Sequence, residues 1–298
     1  MARVVVSFSG GKDSQACLIY AVKKWGAKNV EAVFCDTGWE HPITVQFVED
    51  VCNQLGVHLT VLRKMKGDQA LTFEKLCEVM KGFPIATKRA CTAVLKIEPM
   101  IDWILEQDDN LLVIQGIRGK ESESRSKMAC ECMYFAEYFE KTSRGKKYRK
   151  KAVKEWCKTH DASLWRPIFD WTAQQVIDYI LDAGQQPNPL YKRGASRVGC
   201  YPCIMARKAE IKMVAHDKEM MERLVNLEHK INGNEKRTKP AGFFLKGYIP
   251  KRFCKTWGNG CPTAEEVFAY VTRDDIQLDL FEPEEGYSCM SLYHGLCE

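Results

Sequence analysis

At 298 residues the chain is long enough for one sizeable core, or for one domain with an appendage. Its 45% apolar and 28% charged residues are those of an ordinary globular protein, which excludes a disordered or fibrous chain. The net charge of +5 is local: between Lys141 and Lys158 nine basic residues face the single acid Glu155, so this stretch carries +8 and the rest −3. Such a run is a solvated face or the footprint of a phosphate backbone, which makes DNA or RNA a candidate partner of residues 144–158.

In chain order, short β-branched runs alternate with helical patterns, the signal of βαβ units and a parallel sheet. Strands are expected at Val4–Phe8, Val30–Cys35, Leu59–Leu62 and Leu111–Gly116, and helices at Ser14–Trp25, Ile43–Leu55 (Thr44 as cap), Leu71–Met80 and Leu95–Glu106. Residues 118–165 are polar, basic and weakly periodic, and read as an insertion. A helix capped by Asp170 or Thr172 runs to about Asp182, residues 204–232 read helical, and the tail from about 240 is loop-rich. No apolar run approaches the roughly 20 residues of a membrane span. The Gly-Gly pair at 10–11 comes too early for a secretory h-region, so a cytoplasmic protein without a membrane partner is expected.

The first strand runs through Ser7 into Ser9-Gly10-Gly11-Lys12-Asp13-Ser14 and then a helix. A Walker loop is excluded, since Val6 stands where its first Gly belongs and Asp13 follows the Lys; a G-x-G-x-x-G fingerprint is absent. The chemistry is still that of a phosphate cradle. Gly10 and Gly11 let backbone N–H groups approach an anion, Lys12 adds charge, and Ser9 and Ser14 add hydroxyls at a helix N-terminus. Asp13, an acid in an anion site, points to a metal ion, so a nucleotide with Mg²⁺ is expected. The hexapeptide resembles the PP-loop of the ATP-pyrophosphatase superfamily, which implies ATP as cosubstrate.

Two further strand ends carry polar loops to the same sheet edge: Asp36-Thr37-Gly38 after the second strand, and Gly116, Arg118, Lys120 and Arg125 after the fourth. Fourteen cysteines in a reducing compartment favour metal or thiol chemistry over disulfides, though Cys17, Cys35 and Cys52 lie on apolar faces and read as core. Cys200 and Cys203 form a C-x-x-C turn able to aim two thiolates at one metal.

Taken in order, D-T-G, "GIRGKESESR", "KIEPM", "PIFDWTAQQVIDYI" and "NPLYKRG…GCYPC" resemble the phosphoadenosine phosphosulfate (PAPS) reductase family over residues 3–205. The resemblance implies an α/β, Rossmann-like, doubly wound parallel sheet of the HUP/PP-loop type. It divides the chain into a nucleotide domain at 1–205, with its basic insertion at about 120–165, and a helical, loop-rich, Cys-containing region at 206–298. Aligned on Lys96 and Glu98-Pro99, Cys91 matches the first of the Cys-Cys pair of cluster-bearing reductases, with Thr92 at the second. Cys91, Cys200 and Cys203 are then ligands of a [4Fe–4S] cluster, with Cys254 or Cys261 as candidate fourth, or of Zn²⁺.

The family includes reductases and ATP-pyrophosphatases. A complete loop with Lys12 and Asp13 suits a triphosphate, which makes the DNA-phosphorothioation ATP-pyrophosphatase the nearest type. Catalysis is then assigned to Lys12, Asp13 and Arg118, and nucleotide binding to Ser7, residues 9–14, Asp36, Thr37, Gly38, Gly116, Arg118 and Arg125. A sulfur-donating protein is an implied partner. The alternative is a PAPS or adenylylsulfate reductase with Cys297, in the terminal "YHGLCE", as nucleophile. A third reading is a non-catalytic nucleotide-sensing or nucleic-acid-binding module.

Overall fold

A computed structural model describes residues 2–140, 147–233, 239–258 and 260–273. Strands β1 (Arg3–Ser7), β2 (Val30–Cys35) and β3 (His58–Leu62) are joined by helices α1 (Lys12–Trp25) and α2 (Pro42–Leu55). A two-residue hairpin, β4 (Met65–Lys66) with β5 (Gln69–Ala70), leads to α3 (Phe73–Met80). Next come α4 (Ala90–Thr92), a π-helical turn Ala93–Ile97, α5 (Glu98–Leu105) and β6 (Leu111–Gln115).

The main sheet has the order β3-β2-β1-β6-β8-β7, with β7 (Glu131–Met133) antiparallel to β8 (Ala162–Trp165) and the other pairs parallel. Residues 118–165 are therefore more than an insertion: alongside α6 (Glu123–Ser126), α7 (Ala136–Phe139) and α8 (Lys150–Trp156) they supply two strands. Both strands are short and lack an apolar run, which hid them in the sequence.

Alternation along β1 sets the two faces. Val4 and Val6 pack with α1, α2 and α9 (Ala173–Asp182) residues such as Leu18, Val48 and Val176; Val5 faces Ile101, Ile104 and Val153 of α5 and α8. A third core joins α10 (Lys208–His216), α11 (Lys218–Asn232) and α12 (Ala264–Val271) to α3, Trp39 and Leu95. Helix α12 lies in the tail expected to be loop, opened by a Thr263/Glu266 capping box. At α2 the cap is His41, whose Nδ1 accepts the Ile43 N–H; Thr44, expected to cap, is inside the helix and buried. The chain reverses its winding between β1 and β6, so their carboxyl ends flank a crevice.

Candidate functional site

Two glycines close this crevice. Gly10 has φ +76°, and a Cβ there would lie 2.8 Å from Thr44 Cγ2. At Gly116, just past β6, a Cβ would fall 2.5 Å from both the Asp13 carbonyl carbon and the Ser14 nitrogen, so only glycine lets the β6 end approach the loop. Ser7 ends β1 in register with Val33 and Gln115, directly before the loop.

Within the loop the Ser9 N–H donates to Ser14 Oγ at 3.1 Å, and the Ser14 hydroxyl donates to the Gly11 carbonyl at 2.9 Å. Asn188 Nδ2 lies 3.3 Å from both the Gly10 carbonyl and Thr44 Oγ1. Lys12 is buried at the head of α1; its N–H donates to the Tyr191 hydroxyl at 3.0 Å and its ammonium sits 5.4 Å from that ring's centroid. Asp13 accepts from Arg118 Nε at 2.8 Å, with Lys12 Nζ 3.7 Å from its other oxygen. Arg125 pairs with Glu121, and Arg197 approaches the same carboxylate at 3.4 Å. Lys12, Arg118, Arg125 and Arg197 thus meet Asp13 and Glu121, an excess of positive charge beside a helix N-terminus, which suits a polyanion.

The Asp36-Thr37-Gly38 turn follows β2, the neighbour of β1 on the side away from β6. Asp36 accepts from the Gly38 N–H at 2.8 Å and from Arg63 Nε at 2.7 Å. The Thr37 N–H and hydroxyl both bond to Glu40, a buried carboxylate, at 3.0 and 2.8 Å. Asp13 is the acid expected on Mg²⁺ and Asp36 a residue expected at the nucleotide, yet each is taken up by an arginine. Among the described residues no group of three or more His, Cys, Asp or Glu is placed to hold a metal ion, so a Mg²⁺ ion beside Asp13 would take most of its ligands from phosphate oxygens and water.

Beside the loop lies a cavity of about 260 Å³ lined by Ser9, Arg89, Lys96 and the three thiols Cys91, Cys200 and Cys203. Burial pushes Cys200 up to about 11; its S–H lies 3.7 Å from Glu40 Oε1 and 3.8 Å from the Thr37 hydroxyl. Burial also raises Cys91, with Cys203 adding to the effect, while Cys203 Sγ accepts the Met205 N–H at 3.5 Å. Lys96 is held above its ordinary range by Cys200 first, then by Glu40, 3.8 Å away, and Cys35. The three cysteines line one cavity, and among the described residues they do not form a group of three placed to hold a metal ion. Cys254 and Cys261 do not line the cavity; the Cys254 S–H points to the Pro250 carbonyl at 3.7 Å. Cys297 and residues 144–146 of the basic stretch lie outside the described residues.

Sequence reasoning assigned no role to Tyr191, Asn188, Glu40 or Lys96. Tyr191, Asn188 and Lys96 sit in the "NPLYKRG" and "KIEPM" segments, but nothing in their spacing says that they fold back onto residues 10–12 or onto Cys200.

A phosphate-type loop at the switch point of a mostly parallel sheet defines an α/β, Rossmann-like protein of the PP-loop type. The chain belongs to the phosphoadenosine phosphosulfate reductase domain family, whose model matches residues 3–206. It is 28% identical over 351 residues to an uncharacterized 37.8 kDa protein of Escherichia phage 186, spanning 99% of this chain and 96% of that one. A Methanocaldococcus jannaschii protein is 32% identical over 215 residues, 72% of this chain and 38% of its own length. A phosphoadenosine 5'-phosphosulfate reductase of Baumannia cicadellinicola is 28% identical over 178 residues, 57% of this chain and 58% of its own. Among solved structures, a PAPS reductase of Candida auris aligns at 18% identity and TM-score 0.47, over 68% of this chain and 83% of that one. Among the described residues no helix is long and apolar enough to cross a membrane.

Proposed function

We propose that the chain is an ATP-pyrophosphatase of the PAPS reductase family that adenylates its acceptor for sulfur transfer. The observation that carries this reading is the complete Ser9–Ser14 cradle with Lys12 buried at the head of α1. A sulfonucleotide has no β,γ-phosphates to fill such a cradle, whereas a triphosphate does. Mg·ATP is taken as the substrate. An acceptor oxygen attacks the α-phosphorus as the bond to pyrophosphate breaks. Lys12 and Arg118 hold the phosphate oxygens and stabilise charge developing on the leaving group, with Arg118 exchanging Asp13 for phosphate. Asp36-Thr37-Gly38 lines the nucleotide on the other side. A sulfide-level nucleophile from a sulfur donor then attacks the acceptor atom as its bond to the AMP-bearing oxygen breaks, and AMP leaves with that oxygen. The thiol cavity, joined to Thr37 through Cys200, is where the sulfur is delivered.

The [4Fe–4S] cluster, or Zn²⁺, rests on the family resemblance of Cys91, Cys200 and Cys203, whose thiols line the cavity without meeting as a ligand set among the described residues. A nucleic acid as acceptor is supported by α8, which exposes Lys150, Lys151 and Lys154 and is tied to α5 through Tyr148 and Arg149 on Asp102 at 2.8 and 2.9 Å. The test is pyrophosphate release from ATP by the full chain. Lys12→Met is expected to lower kcat/KM by about 100-fold, the scale of losing one preorganised charge at a reacting centre. Sulfite formed from a sulfonucleotide, without pyrophosphate from ATP, overturns the reading in favour of a reductase.

A further inference from the structure

Helix α11 lies beyond the matched residues 3–206, yet one of its side chains reaches the nucleotide turn. Arg223 Nη2 donates to the Gly38 carbonyl at 2.6 Å, and its Nε and Nη2 form a two-bond fork to Glu74 of α3, both at 2.8 Å. The guanidinium lies 4.5 Å from the ring centroid of Trp39, which is fully buried and stacked on Phe73 at 4.9 Å. Gly38 has φ +64°, and its N–H is already bound to Asp36. Arg223 therefore fixes the second end of a residue whose backbone is otherwise the freest of any type. At the start of the same helix, Asp217 takes His41 Nε2 at 3.2 Å, so α11 grips residues 36–41 at two points.

We propose that Arg223 is a positioning residue for the Asp36-Thr37-Gly38 turn, through which the C-terminal helices set nucleotide affinity. The inference rests on the reading that this turn contacts the nucleotide. Arg223 touches neither the loop at 9–14 nor the thiol cavity. Its loss leaves the Gly38–Trp39 peptide held only on its N–H side, by Glu40 at 3.3 Å, so its carbonyl takes up other orientations, which lowers the fraction of molecules ready to bind and raises the apparent dissociation constant in proportion. The chemical step in the bound state is left alone.

The experiment measures ATP dissociation by calorimetry and steady-state pyrophosphate release on the full chain. R223A is expected to raise Kd and KM by about tenfold with kcat within about twofold, and R223K, which keeps the charge but loses the fork, to recover about half of that loss on a logarithmic scale. Lys230, on the same helix, bridges Glu78 of α3 at 2.8 Å without reaching the turn. K230M is expected to leave KM unchanged; a rise equal to that of R223A would make the effect one of general helix docking and overturn the proposal. If R223A does not fold, R223K carries the test with an expected threefold rise, about half the tenfold effect on a logarithmic scale. Equal Kd for variant and wild type overturns the inference alone; a wild type that binds no ATP overturns the nucleotide reading and this inference with it.

Discussion

The phosphate loop and the thiol cavity share Ser9 but are built in opposite ways. Six consecutive residues make the loop, bonded to one another through Ser9, Ser14 and Gly11. The cavity is assembled from segments near 90, 200 and 210, with C-terminal helices behind it. A loop of the first kind carries its shape in its own sequence, and its chemistry can be read from a hexapeptide. An assembled cavity depends on how whole elements pack, so its thiols can share a wall without sharing a ligand geometry.

Glycine substitutions break this comparison most sharply. At Gly116 an alanine Cβ would meet loop backbone at 2.5 Å, where no flexible side chain can yield. Gly116→Ala is expected to cost about 3 kcal/mol in urea unfolding, at the upper end of overpacking penalties, and to abolish pyrophosphate release as the loop is pushed off β6. Gly199, on the cavity wall, has nothing within 4 Å of its Cβ position, and Gly199→Ala is expected to change stability by less than about 0.5 kcal/mol. Equal costs at the two positions would mean that the loop is no more tightly determined than the cavity.

The second effect is on the packing behind the cavity. Glu228 of α11 is buried and accepts the N–H groups of Phe243 and Ala264 at 3.1 and 2.7 Å, joining α11 to α12. Burial outweighs these bonds and pushes its carboxyl up to about 7. With the folded value above the unfolded one, its stabilising contribution is fully present below pH 4.5 and is lost as pH rises through 7. Wild-type stability therefore falls across pH 4.5–7.5 by on the order of 2–3 kcal/mol from this group, and Glu228→Gln removes that fall. Melting temperatures of the two proteins across this window check it; parallel profiles would show that the carboxylate is ionised in the folded state and that the helices are looser than the geometry implies.

What the sequence disclosed follows the same division. Strand β2 was legible to the residue, because Val30–Cys35 is buried along almost its whole length and so reads as an apolar run broken only by Glu31. The loop at 9–14 was legible because glycine pairs and helix starts are local signals. Strands β7 and β8 were not, since Ala162–Trp165 alternates over four residues and β7 is a three-residue edge. The break between α10 and α11 at Asp217 was also hidden, because an apolar face continues across it: Ile211, Val214, Met220 and Leu224 all enter one core. The roles of Tyr191, Glu40 and Arg223 were beyond sequence reasoning for a plainer reason. Tyr191 and Arg223 act through contacts that only the fold creates, 179 residues away in the case of Tyr191 and Lys12, and Glu40 adds to its local bonds with Thr37 the distant Lys96 and Cys200.

That last contact is where the self-contained character of the loop can be tested with the smallest perturbation. Tyr191 packs on Ala173 and Ile177 in the first turns of α9, and α9 begins with a reciprocal cap: Thr172 Oγ1 accepts the Gln175 N–H at 3.1 Å and Gln175 Oε1 accepts the Thr172 N–H at 2.8 Å. Thr172→Ala removes half of that cap and is expected to cost about 1 kcal/mol. Because the Ser9, Gly11 and Ser14 bonds do not involve α9, the KM for ATP is expected to stay within about twofold while stability falls. A fivefold rise in KM at that modest cost would show that Lys12 is held chiefly from outside, through Tyr191. The loop would then be an assembled site like the cavity, one whose sequence signature records its chemistry but not what keeps it in place.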